Sequence, residues 1–312
     1  MAAELSALKG LDFLSSADLN GAQTQALLTL AADIKAGRRN PRLDGKVLGL
    51  IFSKASTRTR VSFTVAMARL GGQTIDLNPS VSQVGRGEPI EDTARVLSRY
   101  LNAVAIRTFA QSDLQAYADA ASIPIINALT DLEHPCQALA DYLTMQEAFG
   151  SLEGLTMTYV GDGNNVAHSL LIAGALLGVN VRIGCPAGFY PLEEVVTQAK
   201  AIAAGRSEIA ICEDPTEAVR GAHAVYTDVW ASMGQEEEQS TRVQAFRGFC
   251  VDEALMGHAD AKAIVLHCLP AHRGEEISAE VMESSSSRIF DQAENRLHAQ
   301  QALLATLLGA EG

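Results

Sequence analysis

The sequence predicts an α/β protein of two doubly wound parallel-sheet domains, and three observations lead to this fold class. Short apolar runs of strand length alternate with helical segments along the whole chain. The links between these segments are short, as in sheets whose strands are joined by helices. The chain has 312 residues, about twice the length of an ordinary domain, and the pattern restarts near residues 150–154. We expect a first domain of residues 1–148 with 291–312 and a second of 149–290, joined by interdomain helices, with the active site in the cleft between them.

The elements of the first half follow from apolar spacing. An apolar run predicts a buried strand at 47–52. In the segment after it, Phe63, Met67 and Leu70 recur at helical spacing, which predicts a helix over 60–70. The other predicted elements of this half are a helix over 13–35 capped at Ser15 or Ser16, strands at 73–78, 103–107 and 123–128, and helices that begin at Pro89, at a capping box over 112–115 and at His134.

The second half repeats the alternation, and polar side chains suited to chemistry follow many of the strands. The predicted elements are strands at 157–160, 180–184, 208–212, 224–227, 263–268 and 288–290, a helix over 167–177 and a terminal helix over 292–308. The side chains at or just after strand ends are Arg58, Arg107, His134, Gln137, Asn164, Asn165, Asp228, Cys268 and Arg296. Because ligands of open α/β sheets bind outside the carboxyl ends of the strands, we expect these residues to form the site.

Composition argues against several classes of partner. The formal net charge of −13 disfavours non-specific binding to nucleic acid or to a membrane surface. No apolar stretch reaches membrane-spanning length and the N-terminus lacks a secretory pattern, so we expect a cytoplasmic protein. The five cysteines are an odd number without paired spacing, which predicts reduced thiols.

The turn after the first strand is rich in groups that bind anions. It leads into a helix, so backbone N–H groups and the positive end of the helix dipole face the turn. Ser56, Thr57 and Thr59 add hydroxyl donors, and Arg58 and Arg60 add planar forks suited to phosphate oxygens. The alternative is a well-capped helix start with two surface arginines. We favour a phosphate site.

A second cluster could bind a polarised carbonyl group. His134 and Gln137 lie one helical turn apart at a predicted helix N-terminus, where both could donate hydrogen bonds to a carbonyl oxygen. Arg107, at the end of a strand, would add a cation to carbonyl and phosphate oxygens. A His-Pro helix start and a lone arginine are also common structural features, so the motif alone leaves both readings open.

Residues 161–165, Gly-Asp-Gly-Asn-Asn, form half of a dinucleotide-binding fingerprint. Val166 occupies the third glycine position, and the next strand ends without the expected acidic residue. Nicotinamide binding is therefore disfavoured. Two adjacent asparagines at a helix start suit an α-carboxylate instead.

Residues 267–272, His-Cys-Leu-Pro-Ala-His, offer histidine and cysteine ligands to a metal. No second pair elsewhere completes a set of four ligands, so we expect no metal and no cofactor. A thiol beside a reacting nitrogen can instead take part in hydrogen bonding or proton transfer, which makes Cys268 a candidate. The other four cysteines have no such neighbours in the sequence and are predicted to be inert: Cys136, Cys185, Cys212 and Cys250.

Five short motifs together resemble the aspartate/ornithine carbamoyltransferase family. They are Ser-Thr-Arg-Thr-Arg at 56–60, His-Pro-Cys-Gln at 134–137, Asp-x-x-x-Ser-Met-Gly at 228–234, His-Cys-Leu-Pro at 267–270 and Glu-Asn-Arg at 294–296. They occur in the family's order and at compatible spacing. Ser-Met-Gly and the cysteine of His-Cys-Leu-Pro resemble the ornithine branch, since the aspartate branch has His-Pro-Leu-Pro there.

The resemblance implies a role for each matched residue. The carbamoyl-phosphate contacts would be Ser56, Thr57, Arg58, Thr59, Gln83, Arg107, His134, Gln137, Cys268, Leu269 and Arg296. The ornithine contacts would be Asn165, Asp228, Ser232 and Met233, and the catalytic residues Cys268, Arg107, His134 and Asp228. Gln83 aligns with a glutamine that the family places in a neighbouring subunit's site, so the resemblance also implies a homotrimer.

The reaction implied by the resemblance is transfer of a carbamoyl group from carbamoyl phosphate to the δ-amine of L-ornithine, giving L-citrulline and phosphate in arginine biosynthesis. The proton of the amine could go to Cys268 with Asp228, or to the phosphate. The alternatives are an aspartate carbamoyltransferase, a carbamoyltransferase for another amine, a nicotinamide dehydrogenase, and a partner protein that keeps the fold without activity.

Overall fold

The computed structural model describes residues 2–78, 87–231 and 239–310, and the chain divides into two compact units. The first unit comprises Met1–Leu143 and Asn295–Gly312, and the second Thr144–Glu294. The boundaries fall within two helices, α6 (Pro135–Phe149) and α13 (Ile289–Leu307), along which the chain passes from one unit to the other.

The first unit is built on a four-stranded parallel sheet in the order β2-β1-β3-β4. Its strands are β1 (Val47–Phe52), β2 (Gln73–Asp76), β3 (Ala103–Arg107) and β4 (Ile125–Leu129). Its helices, besides α6 and α13, are α1 (Ala2–Ser6), α2 (Gly21–Lys35), α3 (Arg58–Arg69), α4 (Ile90–Leu97) and α5 (Gln111–Ala120). The strand order reverses between β1 and β3, which makes their carboxyl ends the expected ligand position.

The second unit holds a five-stranded parallel sheet in the order β7-β6-β5-β8-β9. Its strands are β5 (Thr156–Val160), β6 (Asn180–Gly184), β7 (Ile209–Cys212), β8 (Ala224–Thr227) and β9 (Ile264–His267). Its remaining helices are α7 (Asn165–Leu177), α8 (Glu193–Ala203), α9 (Pro215–Val219), α10 (Gln239–Ala245), α11 (Glu253–Met256) and α12 (Ala279–Met282). The strand order reverses between β5 and β8.

Each sheet is covered by apolar side chains on both faces, which is why its strands are almost continuous apolar runs. In the first unit Ile51, Val104 and Ile106 pack with Leu114 of α5. Between residues 2 and 310, leaving aside 79–86 and 232–238, no helix combines the length and apolar character needed to cross a bilayer.

The predicted fold class of two parallel-sheet α/β domains is confirmed. Three predicted details are wrong. Residues 288–290 are not a strand, because α13 begins at Ile289 and only Ser287 pairs with the sheet, through Val265. The box at 112–115 does not start α5, which begins one residue earlier after Ala110 and has no side-chain cap.

The N-terminal segment also differs from the single helix predicted over 13–35. Ser15 caps a short 3₁₀ turn, and α2 begins only at Gly21, after a second capping box made by Asn20 and Gln23. Before the 3₁₀ turn, Phe13 forms a parallel bridge to Ile126, so this segment extends the edge of the first sheet.

Candidate active site

The turn between β1 and α3 exposes some of the residues predicted to bind phosphate, while Thr59 is buried. Thr57 and Arg58 are exposed, and Ser56 is half-buried. The Ser56 hydroxyl accepts a hydrogen bond from the N–H of Thr59 at 3.3 Å, which holds the turn against the first turn of α3. The helix N-terminus therefore sits beside an arginine and three hydroxyl groups, an arrangement suited to an anion.

Arg60 is held by the first unit itself. Its guanidinium forms an ion pair with Asp76 at the end of β2 and lies over the Phe52 ring, 4.9 Å from the centroid. Of the two arginines in the turn, Arg58 is the more exposed and is therefore the better candidate for a phosphate contact.

His134 lies at the start of α6, buried beside two arginines. Burial lowers the pKa of its imidazole well below the usual value, and the charges of Arg296 and Arg107 lower it further. The ring is therefore neutral at physiological pH and carries a single N–H. This one N–H can donate a hydrogen bond to a developing oxyanion.

The depressed pKa of His134 should appear in the acid dependence of stability. Below a pH of about 6.5 the unfolded chain binds a proton at this histidine, whereas the folded chain does not. The free energy of unfolding therefore decreases as the pH falls. We expect His134→Asn to remove about 1.4 kcal/mol of the stability lost between pH 7.5 and 5.5, measured by urea unfolding. Parallel curves for the two proteins would contradict this.

Gln137, one turn further along α6, has its carboxamide orientation determined by two buried neighbours. Its Oε1 accepts a hydrogen bond from Nη1 of Arg296 at 2.5 Å, and its Nε2 donates to Oδ1 of Asp141 at 2.7 Å. A guanidinium has no acceptor, so the oxygen must face Arg296. The sequence led us to expect Gln137 to donate to a carbonyl, but here its amide hydrogens face Asp141.

Arg296 connects Gln137 to the phosphate turn. Its Nη2 donates to the Thr59 hydroxyl at 3.1 Å, and the residue is 5% exposed. It lies within α13 rather than just past a strand, as the sequence had suggested. Arg107, by contrast, ends β3 as predicted and pairs in register with Phe52 of β1.

The second unit brings Asp228 and Cys268 together at the ends of β8 and β9. The Cys268 thiol donates to Oδ1 of Asp228 at 3.0 Å. The same oxygen accepts from the N–H of Val229 at 2.8 Å, and Oδ2 accepts from Nδ2 of Asn164 at 3.1 Å. Asp228 is 6% exposed, so these donors satisfy a largely buried carboxylate.

Asn164 and Asn165 have different structural roles. Oδ1 of Asn164 caps α7 by accepting from the N–H groups of Val166 and Ala167, while Nδ2 binds Asp228. Asn165, the predicted α-carboxylate contact, is the first residue of α7. Asn164 is thus a supporting residue that the sequence alone did not separate from its neighbour.

The segment carrying Cys268 and Leu269 is anchored by His267. Nδ1 of His267 accepts from the N–H of Leu269 at 2.8 Å, and Nε2 faces Oε1 of Glu276 at 3.0 Å. The Leu269 backbone is left-handed, with φ of +60°, and precedes a cis peptide to Pro270. Both nitrogens of His267 are engaged, so a metal on Asp228, His267 and Cys268 would have to displace one of these contacts.

Two of the four cysteines predicted to be inert, Cys136 and Cys185, are buried, and burial disfavours their thiolate forms. Burial raises the pKa of Cys136 and of Cys185 to about 12. Both thiols therefore stay protonated near neutral pH.

Arg242 of α10 is a supporting residue that the sequence did not single out. Its Nη1 donates to Oδ2 of Asp162 at 2.7 Å and to the carbonyl oxygen of Trp230 at 3.0 Å, and its side chain is 10% exposed. Arg242 thus links the loop after β5 to Trp230, which lies two residues before Ser232. Ser232, Met233 and Gln83 lie outside the described residues.

Gly163, in the loop after β5, is packed too tightly for any side chain. Its N–H donates to the carbonyl oxygen of Phe189 at 2.9 Å, and a Cβ would overlap backbone atoms of Tyr190 and Pro191. We expect Gly163→Ala to lower the free energy of unfolding by about 2 kcal/mol, measured by urea denaturation. Gly257→Ala, where the nearest atom is 3.2 Å away, should cost clearly less; equal losses would contradict this.

Comparison with known families accounts for nearly the whole chain. Residues 11–147 match the family model "Aspartate/ornithine carbamoyltransferase, carbamoyl-P binding domain". Residues 153–307 match "Aspartate/ornithine carbamoyltransferase, Asp/Orn binding domain". The chain belongs to the aspartate/ornithine carbamoyltransferase family. Membership of this family confirms the resemblance seen in the five motifs and makes the chain a carbamoyltransferase.

Individual members of the carbamoyltransferase family are similar over their full length. The chain is 71% identical to the ornithine carbamoyltransferase of Parasynechococcus marenigrum (strain WH8102) over 309 residues, 99% of this chain and 97% of the relative. The solved ornithine carbamoyltransferase of Pyrococcus furiosus is 48% identical with a TM-score of 0.94, covering 98% and 99% of the two chains. That of Gloeobacter violaceus is 57% identical with a TM-score of 0.88, covering 96% and 98%.

Proposed function

We propose that this carbamoyltransferase transfers the carbamoyl group of carbamoyl phosphate to the δ-amine of L-ornithine, giving L-citrulline and phosphate. The observation that carries the choice of amine is the contact between the Cys268 thiol and the Asp228 carboxylate. A proline at position 268, as in the aspartate branch, could not make it. The family members reported above are ornithine carbamoyltransferases, which supports the same choice.

The first unit would bind carbamoyl phosphate. Arg58, the helix N-terminus and the hydroxyl groups of residues 56, 57 and 59 would hold the phosphate. Arg107 and neutral His134 would donate to the carbamoyl oxygen as negative charge develops on it. Gln137 would accept from the carbamoyl amino group through Oε1, because its amide hydrogens face Asp141.

The second unit would bind ornithine. Asn165 would contact the α-carboxylate, and Asp228 would pair with a substrate ammonium. Ser232 and Met233 would complete the site, and the carbonyl group of Leu269 and the thiol of Cys268 would contact the carbamoyl group. These roles place the nucleophile close to the carbonyl carbon.

The amine must lose a proton before it can attack. Like a lysine, its pKa in water is about 10.4, so the neutral form is scarce near pH 7. Cys268 and Asp228 are hydrogen-bonded to each other and would receive or orient this proton, and the departing phosphate is the second candidate acceptor. As the amine bonds to the carbamoyl carbon, the C–O bond to phosphate breaks and the phosphate leaves with its electron pair.

We further propose a homotrimer in the cytoplasm that serves arginine biosynthesis. Gln83 would then enter a neighbouring subunit's site, in line with the family resemblance. Sedimentation equilibrium would measure the assembly: a mass near three times 33.1 kDa is expected, and a monomer that retains full activity would contradict the trimer.

The reaction itself is tested with four acceptor amines. Purified protein is incubated with carbamoyl phosphate and ornithine, aspartate, putrescine or N-acetylornithine, and the carbamoylated product is measured. Citrulline should form at a rate far above any other product. Preferential carbamoylation of aspartate would favour the alternative branch, and no product from any amine would refute the proposal.

A further inference from the structure

Asp141 lies in the core of the first unit, one helical turn beyond Gln137 and 0% exposed. Its Oδ1 accepts the hydrogen bond from Nε2 of Gln137 at 2.7 Å. Burying an aspartate side chain this deeply costs free energy unless its oxygens accept hydrogen bonds. The contact with Gln137 therefore suggests that Asp141 has a specific role.

The two ends of the Gln137 carboxamide are chemically distinct, and their neighbours differ in the same way. At one end Arg296 can only donate, so it must meet Oε1. At the other end Asp141 accepts from the amide hydrogens, and the two contacts together hold the carboxamide in this orientation. Arg296 also reaches Thr59, so Oε1 lies on the side of the phosphate turn and Nε2 on the side of the helix interior.

The hydrogen bond to Asp141 also strengthens Oε1 as an acceptor. Asp141 accepts from the amide group of Gln137, which increases the negative charge on the carboxamide oxygen, while Arg296 occupies only one of the two lone pairs of that oxygen. Aligned hydrogen bonds in a buried environment polarise one another. The second lone pair of Oε1 remains suited to an N–H donor on a ligand.

We propose that Asp141 is a positioning residue that orients Gln137 so that its Oε1 accepts a hydrogen bond from the substrate. Together, the two residues would select a carbamoyl-donor substrate that carries an amino group on its carbonyl carbon. The inference rests on the proposed function, because it assumes that the first unit binds carbamoyl phosphate. Without Asp141, Nε2 loses its partner in the core, and the carboxamide is held at one end only, by Arg296, so it can rotate about that contact. An amide hydrogen of Gln137 would then face the amino group of the substrate, where two donors oppose each other.

The test compares two stable phosphonates that differ at one group. Phosphonoacetamide carries an amino group on its carbonyl carbon, and acetonylphosphonate carries a methyl group there. Isothermal titration calorimetry on the full chain should show that the wild-type protein binds phosphonoacetamide about 10-fold more tightly, the effect of one buried hydrogen bond lost together with its partner's solvation. Asp141→Ala should bring this ratio to about 1, chiefly by weakening the amide ligand.

Three variants show whether Asp141 acts through Gln137. Asp141→Asn keeps an oxygen that can accept from Nε2 and should retain most of the preference. Asp141→Ala placed in a Gln137→Ala background should change the ratio by less than about 2-fold, because coupled residues are not additive. Thr306→Ala removes a buried hydroxyl of α13 that bonds only to the Ala302 carbonyl, and it should leave the ratio unchanged.

The outcomes separate this inference from the proposed function. A folded Asp141→Ala protein that keeps the wild-type preference would overturn the positioning role, and so would an effect of equal size in the Gln137→Ala background. A wild-type protein with equal affinity for both phosphonates would also overturn it. If Asp141→Ala does not fold, Asp141→Ser carries the same expectation, since its hydroxyl is too short to reach Nε2. Failure to carbamoylate ornithine, with the phosphonate preference intact, would refute only the proposed function.

Discussion

Replacing Arg58 by glycine should weaken binding of carbamoyl phosphate by about 100-fold, which corresponds to about 3 kcal/mol. Arg58 stands exposed at the first position of α3, beside the helix N-terminus and the hydroxyl groups of the turn. A guanidinium and a phosphate form charge-assisted hydrogen bonds, often two at once, and the helix N-terminus adds to their attraction. Binding of phosphonoacetamide, measured by calorimetry, reports the loss without interference from turnover.

Arg60→Gly is the matched control for Arg58→Gly. It removes the same charge two residues away, but this guanidinium is already paired with Asp76 and stacked over Phe52. We therefore expect a loss of less than about 5-fold, arising from long-range charge and from packing. Normal affinity in Arg58→Gly, or equal losses in the two variants, would remove Arg58 from the phosphate site.

The sheets were predictable because both faces of most strands are buried, as in β1, β3, β5 and β8. Such strands read as continuous apolar runs, and β1, β3, β6 and β8 begin and end at the predicted residues. The one false strand, at 288–290, is an apolar pair after four serines, which strand and helix patterns describe equally well. Only packing decided for the helix: Ile289 is fully buried at the start of α13.

The positions of the candidate side chains were predictable where they follow a strand, because parallel strands bring their carboxyl ends to one edge of the sheet. Arg58, Arg107, His134 and Asp228 are of this kind. The residues that hold these side chains in place could not be predicted in the same way. Asp141 looks like an ordinary polar residue on a helix, and it becomes significant only because Arg296, 159 residues after Gln137, fixes the carboxamide between them.

The orientation of Gln137 shows the same limit at atomic scale. A glutamine at a helix start can donate or accept, and its sequence position does not decide which. The decision comes from neighbours that are distant in the sequence, one of which can only donate. The same holds for Arg242, whose ion pair with Asp162 joins segments 80 residues apart.

Replacing Cys268 by alanine should lower kcat about 100-fold while leaving the affinity for phosphonoacetamide within about 3-fold of the wild-type value. The thiol is hydrogen-bonded to Asp228, the residue proposed to pair with a substrate ammonium, so its loss should affect the amine and its proton more than carbamoyl phosphate. Cys268→Ser keeps a donor to Asp228 and should recover part of the rate. Steady-state citrulline formation, measured across pH, gives kcat for each variant, and calorimetry gives the affinity for phosphonoacetamide.

Cys212→Ala is the matched control, since this half-buried thiol ends β7 and its pKa is raised by burial and by nearby carboxylates. Its kcat should stay within about 2-fold of the wild-type value, as for a substitution away from the reacting atoms. If Cys268→Ala turns over like Cys212→Ala, the thiol plays no part in the reaction and the phosphate becomes the proton acceptor. If Cys268→Ala instead loses phosphonoacetamide binding and turnover together, the thiol acts mainly on the donor substrate. The ratio of the two losses therefore decides which substrate Cys268 serves.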